Sequence, residues 1–182
     1  MGLKLRALIV VPLIIGGLAG VFGGLGYFLE IAFGIPGRLS MPPALRGFGV
    51  VVLALGFFFM GWVYRYRKPA EILVSTYLTM RKLIELARPD NASARTEPLI
   101  LQGPQRYVRN PMYFAVVVLL LGWWLVFDCT LLLFMAFFFF LWFNLVVIRF
   151  EEKELQALYG EEYETYARSV PKFFPSLKCK WH

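Results

Sequence analysis

Two groups of ionisable and polar residues stand where long apolar runs end, and these are the places where the chain could do chemistry. One is Arg149, Glu151, Glu152 and Glu154, which follow Asn144 across the end of the apolar run 130–148. The other is Arg106, Tyr107, Arg109, Asn110 and Tyr113, which lead into the apolar run 112–127. Polar groups at membrane depth usually face a bundle interior or a cavity, so both groups are site candidates. If the helix continues past Ile148, the seven residues from Asn144 to Glu151 turn about 100° each and bring Glu151 nearly below Asn144. Arg149 then shares a different face with Glu152 and Lys153. A frayed helix end with ion pairs three residues apart accounts for the same residues equally well on helix physics alone. Metal and imidazole chemistry have little to work with, because the single histidine is the terminal His182 and no Cys or His cluster has metal spacing.

The elements that must position these groups are membrane helices. The chain has 182 residues, 59% of them hydrophobic and 17% charged, against about half and a quarter in soluble domains. Its mean hydropathy is +0.62. Disorder, a secreted disulfide scaffold and a soluble nucleotide-binding domain are excluded together. Four stretches meet the roughly 20-residue requirement of a bilayer core: 5–33, 44–64, 112–127 and 130–148. The first runs well past the length of a signal-peptide apolar region, so it reads as a span. Only Asp128 and Cys129 separate the third from the fourth, which predicts a tight antiparallel hairpin. The expected fold is an all-α polytopic bundle of about four transmembrane helices, one membrane domain over residues 1–182, with a cytosolic loop 65–111 carrying an interfacial helix and a cytosolic tail 149–182.

Sidedness follows from Lys and Arg, which are in excess on the cytosolic side. The 65–111 connection holds Arg65, Arg67, Lys68, Arg81, Lys82, Arg88, Arg95, Arg106 and Arg109, whereas the Asp128 hairpin tip holds none. Both termini fall on the same side as that connection, and only Arg38 and Arg46 dissent. The net charge of +7 is explained by this asymmetry and by anionic lipid, without a nucleic-acid partner. Cys129 and Cys179 are expected on opposite membrane faces, where they cannot pair.

Two further patterns predict packing. Gly16, Gly20 and Gly24 repeat every four residues and would let another helix approach closely. Residues 71–87 are amphipathic and suit the membrane surface, before Arg88, Pro89, Asp90 and Asn91 break the pattern. That helix serves either as a cover for the bundle end or as a guide for substrate.

The run Gly103-Pro104-Gln105-Arg106-Tyr107-Val108-Arg109-Asn110-Pro111-Met112-Tyr113 resembles the signature opening the penultimate helix of the isoprenylcysteine carboxyl methyltransferase and phospholipid N-methyltransferase superfamily. Downstream, Arg149-x-Glu151-Glu152, Leu155, Tyr159-Gly160, Glu162-Tyr163, Tyr166 and Val170-Pro171, ending at Pro175, is similar to that superfamily's C-terminal pattern. The likeness implies an integral membrane methyltransferase with a cytosolic S-adenosyl-L-methionine site, S-adenosyl-L-homocysteine as product, and a lipid or isoprenoid acceptor entering from the bilayer. Cofactor contacts carried over are Gln102, Gly103, Arg106, Tyr107, Val108, Arg109, Asn110, Pro111, Tyr113, Glu151 and Glu152, with Arg149 and Glu152 in catalytic roles and no metal. Glu151 and Glu152 would face the ammonium of the cofactor, Arg106 or Arg109 its carboxylate, and Tyr107, Val108 and Tyr113 would wall the adenine. A carboxylate acceptor needs no base, whereas an amine would use Glu152. Three positions depart from the signature: Gln105 replaces Tyr, Asn110 replaces His and Ala115 replaces Gly. Asn110 can hydrogen-bond but cannot titrate. Two other readings are a sterol-reductase-like enzyme using NADPH and a non-catalytic lipid-binding bundle.

Overall fold

The computed structural model describes residues 2–85 and 102–176. The break at Arg88 to Asn91, the last two residues of the amphipathic segment and Cys179 lie outside them. Among the described residues the chain forms α-helices only, with no strand: α1 (Leu3–Phe33), α2 (Pro43–Tyr66), α3 (Pro69–Ile84), α4 (Pro111–Phe127), α5 (Thr130–Trp142), α6 (Ile148–Tyr159) and α7 (Glu161–Ser169). A 3-10 turn at Gly103–Arg106 precedes α4, and a π turn at Phe143–Val147 joins α5 to α6. Three helical stretches are long and apolar enough to cross a membrane: Leu3–Phe33, Pro43–Tyr66 and the continuous rod Thr130–Tyr159. The other expected span, α4, is apolar throughout but has 17 residues, the short end of the range of about 17–25.

The core is built by two antiparallel pairings. Along α2 and α4, Gly49 meets Leu125 and Val126, Leu53 meets Gly122, and Gly56 meets Leu119. A Cβ built on Gly122 would lie 2.9 Å from the backbone nitrogen of Leu53, so the two backbones touch where a side chain has been omitted. On the other side, Gly26 of α1 packs on Leu131 and Phe134 of α5, and Phe22 meets Phe139 edge-on at 5.0 Å. The predicted close approach at Gly16, Gly20 and Gly24 is not found, since a Cβ at any of them would meet nothing within 4 Å. Four-residue spacing identifies a smooth face but not what lies against it. Around that face Leu13, Val21, Phe28 and Ile31 are exposed, as lipid-facing residues would be.

The hairpin tip is polar and closed. Asp128 ends α4 in the left-handed conformation, φ 53°, and its carboxylate is almost fully buried. Its Oδ1 accepts the Leu39 N–H at 3.0 Å and its Oδ2 the Met41 N–H at 3.0 Å, with Arg46 at 3.4 Å. Thr130 adds its N–H to Gly37 O and its hydroxyl to Pro36 O. Arg46, which dissents from the charge asymmetry, is therefore the partner of this acid. Burial alone would raise the Asp128 pKa, but the N–H groups of Met41 and Leu39, the Arg46 charge and the Ser40 N–H hold it below the ordinary carboxylate value.

Helix α3 is amphipathic as expected, and its inner face is mixed: Ile72, Ser75, Thr79 and Met80 are buried. It packs against α1 and reaches α6. The buried hydroxyls need polar partners, which the last spanning rod supplies.

Two outcomes check this packing. Gly122→Val should lower the thermal midpoint in detergent by an overpacking cost of about 1–3 kcal/mol, whereas Gly20→Val should leave it unchanged. Because the folded carboxyl is lowered, the Asp128 contribution is complete above its unfolded value and is lost as pH falls below about 4. Asp128→Asn should reduce the midpoint at pH 7 and flatten its dependence on acid in circular-dichroism melts.

Candidate functional site

The loop before α4 is shaped by its own residue types. Gly103 has φ +63° and carries the Tyr66 ring where a Cβ would project, so only glycine fits. Pro104 and Gln105 are buried within the 3-10 turn, and the Tyr107 ring lies 5.7 Å from that of Trp62. Pro111 opens α4 at a position that needs no N–H.

This loop is stitched to the end of the chain. Arg109 donates its backbone N–H to Pro171 O at 2.9 Å, and Ser176 donates to Tyr107 O at 3.0 Å. Asn110 donates its side-chain amide to Lys172 O at 3.0 Å, so α4 has no side-chain cap on its first-turn N–H groups. Phe173 is buried between Phe114 and Phe140, at 6.1 and 5.0 Å edge-on, which anchors the strap in the core.

The rod from α5 to α6 supplies the acids. At the π turn Lys172 donates to Asn144 O at 3.2 Å, and the Asn144 amide donates to Phe140 O at 3.0 Å. A π turn carries more residues than an α turn, so the seven-residue register from Asn144 to Glu151 does not hold. Asn144 is absent from the cavity wall, and Glu151 is on it. Glu151 Oε1 accepts from the Thr79 hydroxyl at 3.2 Å and from the Tyr113 hydroxyl at 3.1 Å, which joins α3, α4 and α6 on one atom. Tyr113 is itself stacked on Phe143 at 4.6 Å. One turn on, buried Glu154 pairs with Lys82 of α3. Glu152 lies 3.2 Å from the Arg109 guanidinium, with the two side chains 22% and 14% exposed.

These groups surround a cavity of about 130 Å³. That is several times the space a single water occupies on the same measure. Arg109, Asn110, Pro111, Met112 and Tyr113 line it from the loop and α4; Glu151, Leu155 and Tyr159 from α6; Tyr163 and Tyr166 from α7. Val63, Arg67, Ile72, Ser75 and Thr76 close the side formed by α2 and α3. Glu151 is the only carboxylate among the described lining residues. The Tyr163 hydroxyl is pushed up to about 12, first by burial and then by the Glu152 charge, against the opposing Arg109. Burial likewise raises Tyr166. Both stay protonated at neutral pH, and Tyr166 donates its hydroxyl to Gln105 O.

Of the residues read from the sequence as site candidates, Arg109, Asn110, Pro111, Tyr113 and Glu151 meet on this cavity. Glu152 reaches it through Arg109. Gln102, Arg106 and Arg149 are exposed and off the wall, while Gly103, Tyr107 and Val108 shape the loop from behind. Reasoning from sequence did not assign Arg67, Ser75, Thr76, Thr79, Gln105, Leu155, Tyr159, Tyr163 or Tyr166 to the site. The hydroxyls on the inner face of α3, spaced three and four apart, were the available signal for Ser75, Thr76 and Thr79.

Comparison with family models matches residues 45–162 to the phospholipid methyltransferase model. The match runs through Arg109 and Glu151 and stops before Tyr163, Tyr166 and the strap. No curated protein and no solved structure matches.

The buried ion pair is testable without any ligand. Glu154→Gln alone should cost about 3–5 kcal/mol, because it removes the counter-charge of the largely buried Lys82 ammonium. The double variant Lys82→Met, Glu154→Leu should recover most of the loss in thermal unfolding.

Proposed function

Since the chain belongs to the phospholipid methyltransferase family, a methyltransferase family acting on membrane lipid, we propose that it takes its methyl group from S-adenosyl-L-methionine, bound in the cavity beside Glu151 and Arg109. The single observation that carries this reading is the pairing, on one cavity wall, of a carboxylate held by two hydroxyls with a guanidinium beside an uncapped helix start. The residues fit a zwitterionic nucleoside. One buried oxygen of a lining residue, Gln105 Oε1, accepts no hydrogen bond from the described residues, and four tyrosines offer flat surface.

Glu151 would hold the ammonium, and Arg109 with the first-turn N–H groups of α4 would hold the carboxylate. The cofactor supplies a methyl group made electrophilic by its sulfonium. Thr79 and Tyr113 fix the Glu151 carboxylate, so the charge is positioned before any ligand arrives. Glu152 fixes the Arg109 guanidinium, and its carboxylate would take the proton of an amine acceptor. Arg149, exposed outside the cavity, would meet the acceptor and not the cofactor. The acceptor is lipophilic, a phospholipid or isoprenoid carrying an amine or a carboxylate, and it approaches from the bilayer. By the excess of Lys and Arg, the end of the bundle with the cavity lies on the cytosolic side, together with both termini.

Purified protein in detergent should bind S-adenosyl-L-homocysteine in calorimetry, and the ligand should raise the thermal midpoint while NADPH does not. Glu151→Gln should weaken that affinity by about tenfold or more through loss of a charged hydrogen-bond partner. Absence of binding by the unaltered chain, or a midpoint raised by NADPH alone, would overturn the reading.

A further inference from the structure

Gln105 is the one residue of the 3-10 turn that both lines the cavity and is buried, with 8% of its surface exposed. Its backbone oxygen accepts the Tyr166 hydroxyl at 2.8 Å, which fixes the turn against α7. Its side-chain oxygen is buried and accepts no hydrogen bond from the described residues. Buried amide oxygens are almost always satisfied, and one without a partner on a residue that lines a cavity calls for a donor from a ligand. A carboxamide offers an acceptor and a donor side by side, the combination that pairs with the edge of adenine, whose exocyclic amino group donates next to a ring nitrogen that accepts. An ammonium is better served by Glu151 in the same cavity, so the donor expected at Gln105 is neutral and planar. Tyr163 and Tyr166, with ring centres 6.0 Å apart, provide aromatic surface beside it.

We propose that Gln105 determines base specificity: its carboxamide oxygen accepts the exocyclic amino group of the adenine, and its N–H donates to the adjacent ring nitrogen. This rests on the cofactor reading above. It also gives a role to a position where this chain carries Gln in place of the Tyr of the resembling signature.

The test is equilibrium binding by the full purified chain of two probes. They are S-adenosyl-L-homocysteine and the analogue in which hydrogen replaces the exocyclic amino group. The unaltered chain should prefer the amino form by about tenfold or more, since a site built around a hydrogen bond rejects the ligand that leaves its buried group unpaired. Gln105→Met, similar in length but without the amide, should bring the two probes to within about twofold, by weakening the amino form. Gln105→Glu keeps the accepting oxygen and should keep the preference. Equal affinities in the unaltered chain would overturn the role of Gln105 and leave the cofactor reading standing. A preference that survives in Gln105→Met would do the same. If the unaltered chain binds neither probe, the cofactor reading itself fails. The comparison within the unaltered chain decides the matter even where a variant does not fold.

Discussion

Arg109 is held twice, and the site depends on both attachments. Its backbone N–H is spent on Pro171 O, which binds the loop before α4 to the strap after α7. Its guanidinium is spent on Glu152, which binds the same loop to α6. Each contact joins segments far apart in sequence, and each is half enclosed by protein, where a charge-assisted pair is screened less than at an open surface. The backbone bond is one of several that hold the loop on the cavity wall, beside those from Ser176, Asn110 and Tyr166. Without the ion pair a partly buried guanidinium would have no counter-charge. The two motifs around the helical hairpin are thus parts of one structure and have to occur together.

Division of labour between adjacent acids follows from helix geometry. Glu151 and Glu152 are neighbours in sequence, so they point about 100° apart on α6. One faces the cavity and takes hydroxyls from α3 and α4; the other faces the loop and takes Arg109. Glu154, three residues past Glu151, returns to the α3 side and pairs with Lys82. Helix α3 is therefore fastened to α6 by a hydroxyl and an ammonium on one face. The amphipathic segment that composition would lay on a membrane surface becomes a wall of the site.

The sequence was most legible where one physical rule acts alone. Apolar length located the starts of the four apolar helices to within two residues but not the end of the last, which runs on to Tyr159, and the two-residue gap at Asp128 and Cys129 set the hairpin. Charge patterning and the order of the two motifs brought Arg109, Asn110, Tyr113 and Glu151 to one place. Legibility failed where a partner decides. Gly16, Gly20 and Gly24 have the spacing of a contact face and no contact, whereas Gly49, Gly56 and Gly122, without that spacing among them, carry the α2 and α4 interface. The π turn was invisible, and the group that meets its Asn144 O, the Lys172 ammonium, comes from far along the chain. Tyr163 and Tyr166 were legible as part of the C-terminal pattern, but not as cavity wall, which they become when α7 folds back against the loop.

The position of the cavity along the bundle has a packing cause. Between Gly49 and Gly56 the backbones of α2 and α4 touch, and there is no volume between them for a ligand. Beyond Gly56 the contact passes to rings: Phe59 meets Phe114 at 5.1 Å, and Trp62 meets Tyr107 at 5.7 Å. Aromatic pairs hold backbones farther apart than glycine does, and Val63 and Arg67 at this end of α2 line the cavity. The same end receives the turn into α3, the uncapped start of α4 and the acids of α6. Space opens where polar groups are available to line it. A lipid lying along the aromatic flank of α2 and α4 would reach that opening without crossing the close-packed middle of the bundle.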